Sequence, residues 1–164
     1  MELLNKIFIK KMINNFYEQN LKINDHKGKE IDLKGFKGTE LLIVNIASKC
    51  KLANNAYRKI KNYKSKGVNI LMCPCSQFFN QEHKNVQDTL DDLKKRDLEV
   101  DNKQVFITEP VSVKGNKIHP IFKFLIKEKN SLFFKNVHWN FTLFLIDKEG
   151  IVTERINPIG HLFK

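Results

Sequence analysis

Residues 41–50 read Leu41-Leu-Ile-Val-Asn-Ile-Ala47-Ser-Lys-Cys50. The first seven positions are nearly continuous apolar and rich in β-branched residues, the pattern of a strand buried on both faces of a sheet. Just downstream, Leu52, Ala56, Ile60 and Tyr63 recur at spacings of four, four and three. That periodicity predicts a helix, and Gly67 stops it. Val68 to Met72 reads as a second buried strand. Strand, helix and strand with apolar strands make a parallel βαβ unit.

Outward from this unit, Val86, Leu90 and Leu93 mark another helix, and Val105 to Ile107 a short strand. Pro120, suited to a first helical turn, opens a third helix through Ile121, Phe124 and Leu125. Thr142 to Ile146 and Ile151 to Ile156 flank the turn Asp147-Lys-Glu-Gly150 as an antiparallel hairpin. Upstream, Leu21 and Ile23, the turn Asp25-His-Lys-Gly28, then Ile31 and Leu33 predict an N-terminal β-hairpin. The sum is one α/β domain over 15–164, a mixed central β-sheet flanked by helices, behind a basic extension at 1–14.

Composition narrows the class. The chain has 164 residues, 41% of them hydrophobic, with seven Gly and four Pro, which excludes a collagenous, low-complexity or wholly disordered protein. No apolar run approaches the roughly 18 residues of a membrane span, so no transmembrane segment is expected. Lys and Arg number 29 against 18 Asp and Glu, for a net charge of +11. Only Arg58, Arg96 and Arg155 are guanidinium groups, and the lysines are spread along the chain. That distribution reads as a solvated surface, with no nucleic acid expected as partner, although a basic nucleic-acid or membrane-binding module stays as an alternative. Three cysteines, Cys50, Cys73 and Cys75, do not make a disulfide framework. A reducing, cytoplasmic setting follows. Residues 1–14 make a poor signal peptide, though an organelle address remains open.

Cys50 lies where a buried strand ends and a helix begins. Unpaired backbone N–H groups and the positive end of the helix dipole stabilise a thiolate there, and the thiolate is the nucleophile. Lys49 and Lys51 flank it as thiolate-stabilising charges. Such a thiolate is poised to attack a peroxide O–O bond and become a sulfenic acid. A buried, inert cysteine is the competing reading.

The stretch ending at Cys50 closely resembles the strand and active-site turn of the glutathione peroxidase family, a branch of the thioredoxin fold. The resemblance continues through Ile70-Leu-Met-Cys-Pro-Cys-Ser-Gln-Phe78 and Asn80-Gln-Glu82. It returns at His119-Pro120 and in Trp139-Asn-Phe-Thr142 with Phe144-Leu-Ile-Asp-Lys-Glu-Gly150. It implies a thioredoxin-like fold and a thiol-dependent peroxidase acting on H2O2 and organic or lipid hydroperoxides. Glutathione or a thioredoxin-like protein would serve as reducing co-substrate, with no metal or other cofactor. Cys50 would be the attacking thiol, with Gln81, Trp139 and Asn140 as its catalytic partners. Each of those three brings an N–H donor and no negative charge to the developing oxyanion.

Several positions depart from the family pattern. Lys51 stands where Gly is usual, His83 where Pro is usual, and Cys73 where Phe is usual. The segment from Val86 to Leu98 lacks the resolving cysteine that many members carry there, which leaves Cys75 and Cys73 as candidate resolving thiols. A zinc site from Cys73, Cys75 and His83 has too few ligands at the wrong spacing, so no metal is expected. A short segment between Asn130 and Val137 favours a monomer. The family's final helix is expected to be missing after Pro158: either the sequence is trimmed there, or Leu3, Leu4, Ile7 and Phe8 cover the exposed sheet, or a second copy of the chain does. The alternative to an enzyme is a thiol redox sensor, oxidised once at Cys50 without turnover.

Overall fold

Five strands pair into one mixed sheet, seen in a computed structural model that describes residues 1–130 and 135–158 and, over 10–13, the backbone alone. The strands are β1 (Leu41–Ile46), β2 (Asn69–Pro74), β3 (Val105–Ile107), β4 (Leu143–Ile146) and β5 (Val152–Ile156), in spatial order β3-β2-β1-β4-β5. β1 and β2 are parallel, as are β2 and β3, whereas β4 is antiparallel to both β1 and β5. Being central, β1 has its backbone paired on both edges, and all six of its residues are buried. This is why the sequence there shows no polar alternation.

The helices are α1 (Glu2–Ile13), α2 (Ala53–Ser65), α3 (Val86–Lys95) and α4 (Pro120–Glu128). α2 joins β1 to β2 as the periodicity predicts, and Gly67 beyond it adopts φ +84°. Asn85 caps α3 by accepting from Gln87 N–H at 3.0 Å. Pro120 occupies the first turn of α4, where its missing N–H costs nothing, and His119 Nδ1 accepts from Ile121 N–H at 3.2 Å.

Alternate residues of β1 feed two separate cores. Leu41 and Ile43, with Leu71 and Cys73 of β2, face α4 through Ile121, Phe122 and Leu125. Leu42, Val44 and Ile46, with Ile70 and Met72, face α2 and α3 through Tyr57, Ile60 and Leu93. Each layer hides large apolar side chains completely, and truncating one such as Ile43 to Ala costs about 2–5 kcal/mol.

The upstream hairpin is reduced to a single bridge between Asn24 and Glu30, with Ile31 N–H donating to Ile23 at 2.9 Å. The turn itself is tightly closed, but its second arm coils away beyond Ile31. Asp25 takes the N–H groups of Lys27 and Lys29 on its carboxylate, and Leu33–Phe36 coils into a 3-10 turn that buries Leu33 and Phe36. The spacing read as strand alternation is that of loop anchors. Farther along, Gly150 (φ +89°) closes the β4–β5 turn against Asn15 and Tyr17, where an added Cβ would collide. Phe16 N–H donates to Gly150 there at 2.8 Å.

Of the covers open for the sheet, the one by α1 is not made: Leu3 and Leu4 are each 72% exposed, and Ile7 and Phe8 are exposed as well. The loop read as favouring a monomer lies partly outside the described residues, at 131–134, and the end of the chain at 159–164 lies wholly outside them.

Candidate active site

Strand β1 delivers its carboxyl end into the turn Ala47-Ser-Lys-Cys50, which hands the chain to α2. Cys50 N–H donates to Ala47 at 3.0 Å and Ala53 N–H donates to the Cys50 carbonyl at 2.9 Å, so the cysteine is locked into the turn. No side-chain cap serves the start of α2; instead Leu52 N–H points to Cys50 Sγ at 3.5 Å. The sulfur thus lies against the N–H of the residue that caps α2, just before the amino terminus of that helix. Cys50 is half-buried, and Lys49 and Lys51 on either side are exposed.

The carboxyl end of β2 brings the second part. Phe79 (φ 60°) and Asn80 (φ 52°) are consecutive left-handed residues that turn the chain back toward β1. Asn takes this conformation readily and Phe does not, so backbone strain is held next to Gln81. Gln81 then accepts from Lys49 N–H at 2.8 Å through its backbone carbonyl, one residue from Cys50.

The third part precedes β4. Asn140 Nδ2 donates to Gln81 Oε1 at 3.1 Å, a contact across 59 positions of sequence. Asn140 is 5% exposed, and its Oδ1 has no hydrogen-bond partner among the described residues. A buried acceptor in that state is poised to take a proton-bearing group. Trp139, 37% exposed, stands beside it at the rim. Cys50, Gln81, Trp139 and Asn140 therefore gather at one end of the sheet, the carboxyl ends of the parallel strands.

Residues not singled out from sequence hold this arrangement. Asn45, fully buried in β1, donates from Nδ2 to the Trp139 carbonyl at 3.0 Å. Its Oδ1 accepts from Thr142 N–H at 2.9 Å, and its own carbonyl accepts from Phe141 N–H at 2.7 Å. Three bonds thus clamp the loop in which Phe141 sits at φ 61° with its ring edge-on to Tyr57. The sequence carried a signal for this: Asn45 is the one amide in an otherwise apolar strand, and a buried amide needs partners.

Cys73 and Cys75 take a different place. Cys73 is fully buried in β2 and Cys75 almost so, and both belong to the core facing α4. Cys50 packs at the edge of the core on the opposite face of the sheet. Burial pushes the Cys73 thiol up to about 12 and raises that of Cys75 as well. His83, the third residue weighed as a zinc ligand, pairs with Asp92 at 2.7 Å. Among the described residues no group of three or more His, Cys, Asp or Glu is placed to hold a metal ion, and no helix is long and apolar enough to cross a membrane.

A mixed sheet in this strand order, with a half-buried cysteine at the turn from β1 into α2, has the architecture of the thioredoxin fold. Comparison narrows this. The model of the family described as "Glutathione peroxidase" matches residues 16–126. A protein of Solanum lycopersicum described as "Probable phospholipid hydroperoxide glutathione peroxidase" is 39% identical over 140 residues, spanning 83% of this chain and 80% of its own. The crystal structure of T. cruzi GPX1 superposes with a TM-score of 0.65 at 32% identity, covering 88% of this chain and 86% of that one. The thioredoxin domain of a thiol-disulfide oxidoreductase from Bacteroides vulgatus shares the fold, with a TM-score of 0.51 at 14% identity over 84% and 83% of the two chains. The chain belongs to the glutathione peroxidase family and is a thiol-dependent, hydroperoxide-reducing peroxidase.

Proposed function

We propose that Cys50 is the peroxidatic thiol, and that this chain reduces H2O2 and organic hydroperoxides, lipid hydroperoxides among them. The observation that carries the reading is the Gln81–Asn140 bond formed beside the Cys50 turn, with Gln81 itself tied to Lys49. The Cys50 thiolate attacks the distal oxygen of ROOH. An S–O bond forms as the O–O bond breaks, the sulfur is oxidised to the sulfenic acid, and the alkoxide leaves as ROH after taking one proton. With Gln81 Oε1 engaged by Asn140, the Gln81 amide N–H2 is its donating end, and Trp139 supplies an indole N–H. Such donors are worth most where charge develops. Leu52 N–H steadies the sulfur before attack.

Regeneration runs through an external thiol. A first reductant thiol condenses with the sulfenic acid, releasing water and leaving a mixed disulfide. A second thiol displaces Cys50 and carries away the disulfide. The burial of Cys73 and Cys75 beneath the opposite face supports this route over internal resolution. Glutathione and a thioredoxin-like dithiol both fit the chemistry. We assign the chain to a reducing compartment, as a monomer, with no nucleic-acid partner.

The test is peroxide consumption over many turnovers by the wild type and by Cys50→Ser, each supplied with glutathione and, separately, with a thioredoxin system. Repeated turnover that Cys50→Ser abolishes is the expected result. Consumption of a single equivalent with neither reductant sustaining turnover would make Cys50 a one-shot redox sensor. Turnover surviving in Cys50→Ser would overturn the assignment of the thiol.

A further inference from the structure

Beside the reacting cysteine lies a buried carboxylate that the mechanism above does not use. Glu82 is 3% exposed. Its Oε2 accepts from Ser48 N–H at 3.2 Å and Ser48 Oγ at 3.3 Å. Its Oε1 accepts from His83 N–H at 2.8 Å and Thr89 Oγ1 at 3.2 Å. Ser48 Oγ in turn lies 2.9 Å from the hydroxyl of Tyr57. None of these partners is a cation.

An ionised carboxyl held out of water without a counter-charge costs several kcal/mol unless hydrogen bonds replace its hydration. Four donors on two oxygens do so here. They come from the turn that carries Cys50, from the residue after Glu82, and from α3, and through Ser48 the network reaches α2. Glu82 also directly follows Gln81, whose carbonyl is bonded to Lys49, the residue between Ser48 and Cys50. Two adjacent links, Ser48 to Glu82 and Lys49 to Gln81, thus stitch the end of β1 to the loop beyond β2.

Resting on the assignment of Cys50 as the peroxidatic thiol, we propose that Glu82 is a positioning residue that fixes the Gln81 amide relative to Cys50. Only an acceptor-only group suits the place. A glutamine of the same shape would turn an N–H2 toward either the Ser48 pair or the His83 and Thr89 pair of donors, leaving donors facing each other. The geometry that suffers is the one between sulfur and leaving-group donor, where a displacement of about 1 Å is worth on the order of a hundredfold in rate.

The experiment pairs two reactions of the same sulfur in the full chain. Oxidation of Cys50 by H2O2, followed through the fluorescence of the single tryptophan, needs the donors on Gln81 and Trp139. Alkylation of Cys50 by iodoacetamide needs only an accessible thiolate. Glu82→Gln is expected to slow oxidation by tenfold or more, on the order of ten to a hundred, while alkylation stays within about threefold. Equal slowing of both reactions would mean a general disturbance of the turn and would overturn the proposal, as would oxidation within about threefold of wild type. Should Glu82→Gln fail to fold, Thr89→Val removes one bond to Glu82 and Ser48→Ala removes one to Glu82 together with the contact to Tyr57, and the same divergence between the two rates is expected of both. Cys50→Ser distinguishes the underlying reading: oxidation that persists without that thiol refutes Cys50 as nucleophile, whatever Glu82 does.

Discussion

Strands β1 and β2 lie side by side in parallel, with Asn45 opposite Cys73 and Ile46 opposite Pro74, and each delivers cysteine at or near its carboxyl end. At the end of β1, Cys50 sits in a turn with its sulfur facing a helix amino terminus. At the end of β2, Cys73 and Cys75 are packed into the core against α4, with Cys75 N–H bonded to Ile46 at 3.0 Å and its Sγ 3.8 Å from Gln77 Oε1. The difference is one of surroundings. A thiol among apolar side chains is held neutral and behaves as a small hydrophobe, whereas the same group at a polar turn can carry charge.

The sharpest way to break this contrast is alkylation of the native protein near neutral pH. Cys50 is expected to react at least about a hundredfold faster than Cys73 and Cys75, and in denaturant the three should converge. Mass mapping of the modified peptides reads the outcome. Labelling of Cys75 on the timescale of Cys50 would restore it as a resolving thiol.

A smaller effect separates the two residues that face each other in register. Asn45→Ala leaves the Thr142 N–H without its partner and the Trp139 carbonyl with only the bond from Thr142 Oγ1, and is expected to cost about 1–3 kcal/mol and to lower peroxide turnover. Cys73→Ala removes one buried sulfur, costs about 1 kcal/mol and leaves turnover within about threefold. Denaturant melts and turnover assays on the two variants read both quantities.

The subtlest expectation concerns alkali. An unfolded chain ionises Cys73 at an ordinary 9.0, whereas the folded protein holds that proton until about 12. Its contribution to stability is therefore fully present below pH 9 and is lost as pH rises toward 12. Cys73→Ala should flatten that part of the stability-against-pH curve. An unchanged slope would show the thiol to be less enclosed than its packing requires.

The central elements were legible in sequence because each stands on a local pattern. The apolar run at 41–47 is a strand paired on both edges, the spacing from Leu52 to Tyr63 is α2, and Pro120 opens α4. The hairpin around Asp25 was not, since apolar residues at even spacing also arise where loop side chains reach into a core one at a time. For the site, the residues that touch one another were legible only jointly, through their resemblance to a family. Periodicity says nothing of a bond between Gln81 and Asn140, because tertiary closure alone brings them together. Glu82 and Ser48 were illegible for the same reason: a buried carboxylate is an exception to the rule that charge lies outside, and only its partners explain it.

The Asn45–Trp139 bond has a consequence for synthesis. It spans 94 positions, and β1 cannot complete its antiparallel edge until β4 exists. At about 5–20 residues per second on the ribosome, Cys50 is made roughly five to twenty seconds before Trp139 and Asn140, although Gln81 follows it within about two to six seconds. Through that interval the nascent chain carries Cys50 without the segment that bonds Gln81 and Asn45 from beyond α4. The onset of peroxidase activity therefore marks the last long-range closure of the sheet, and a lysate assay timed against chain completion would read folding directly.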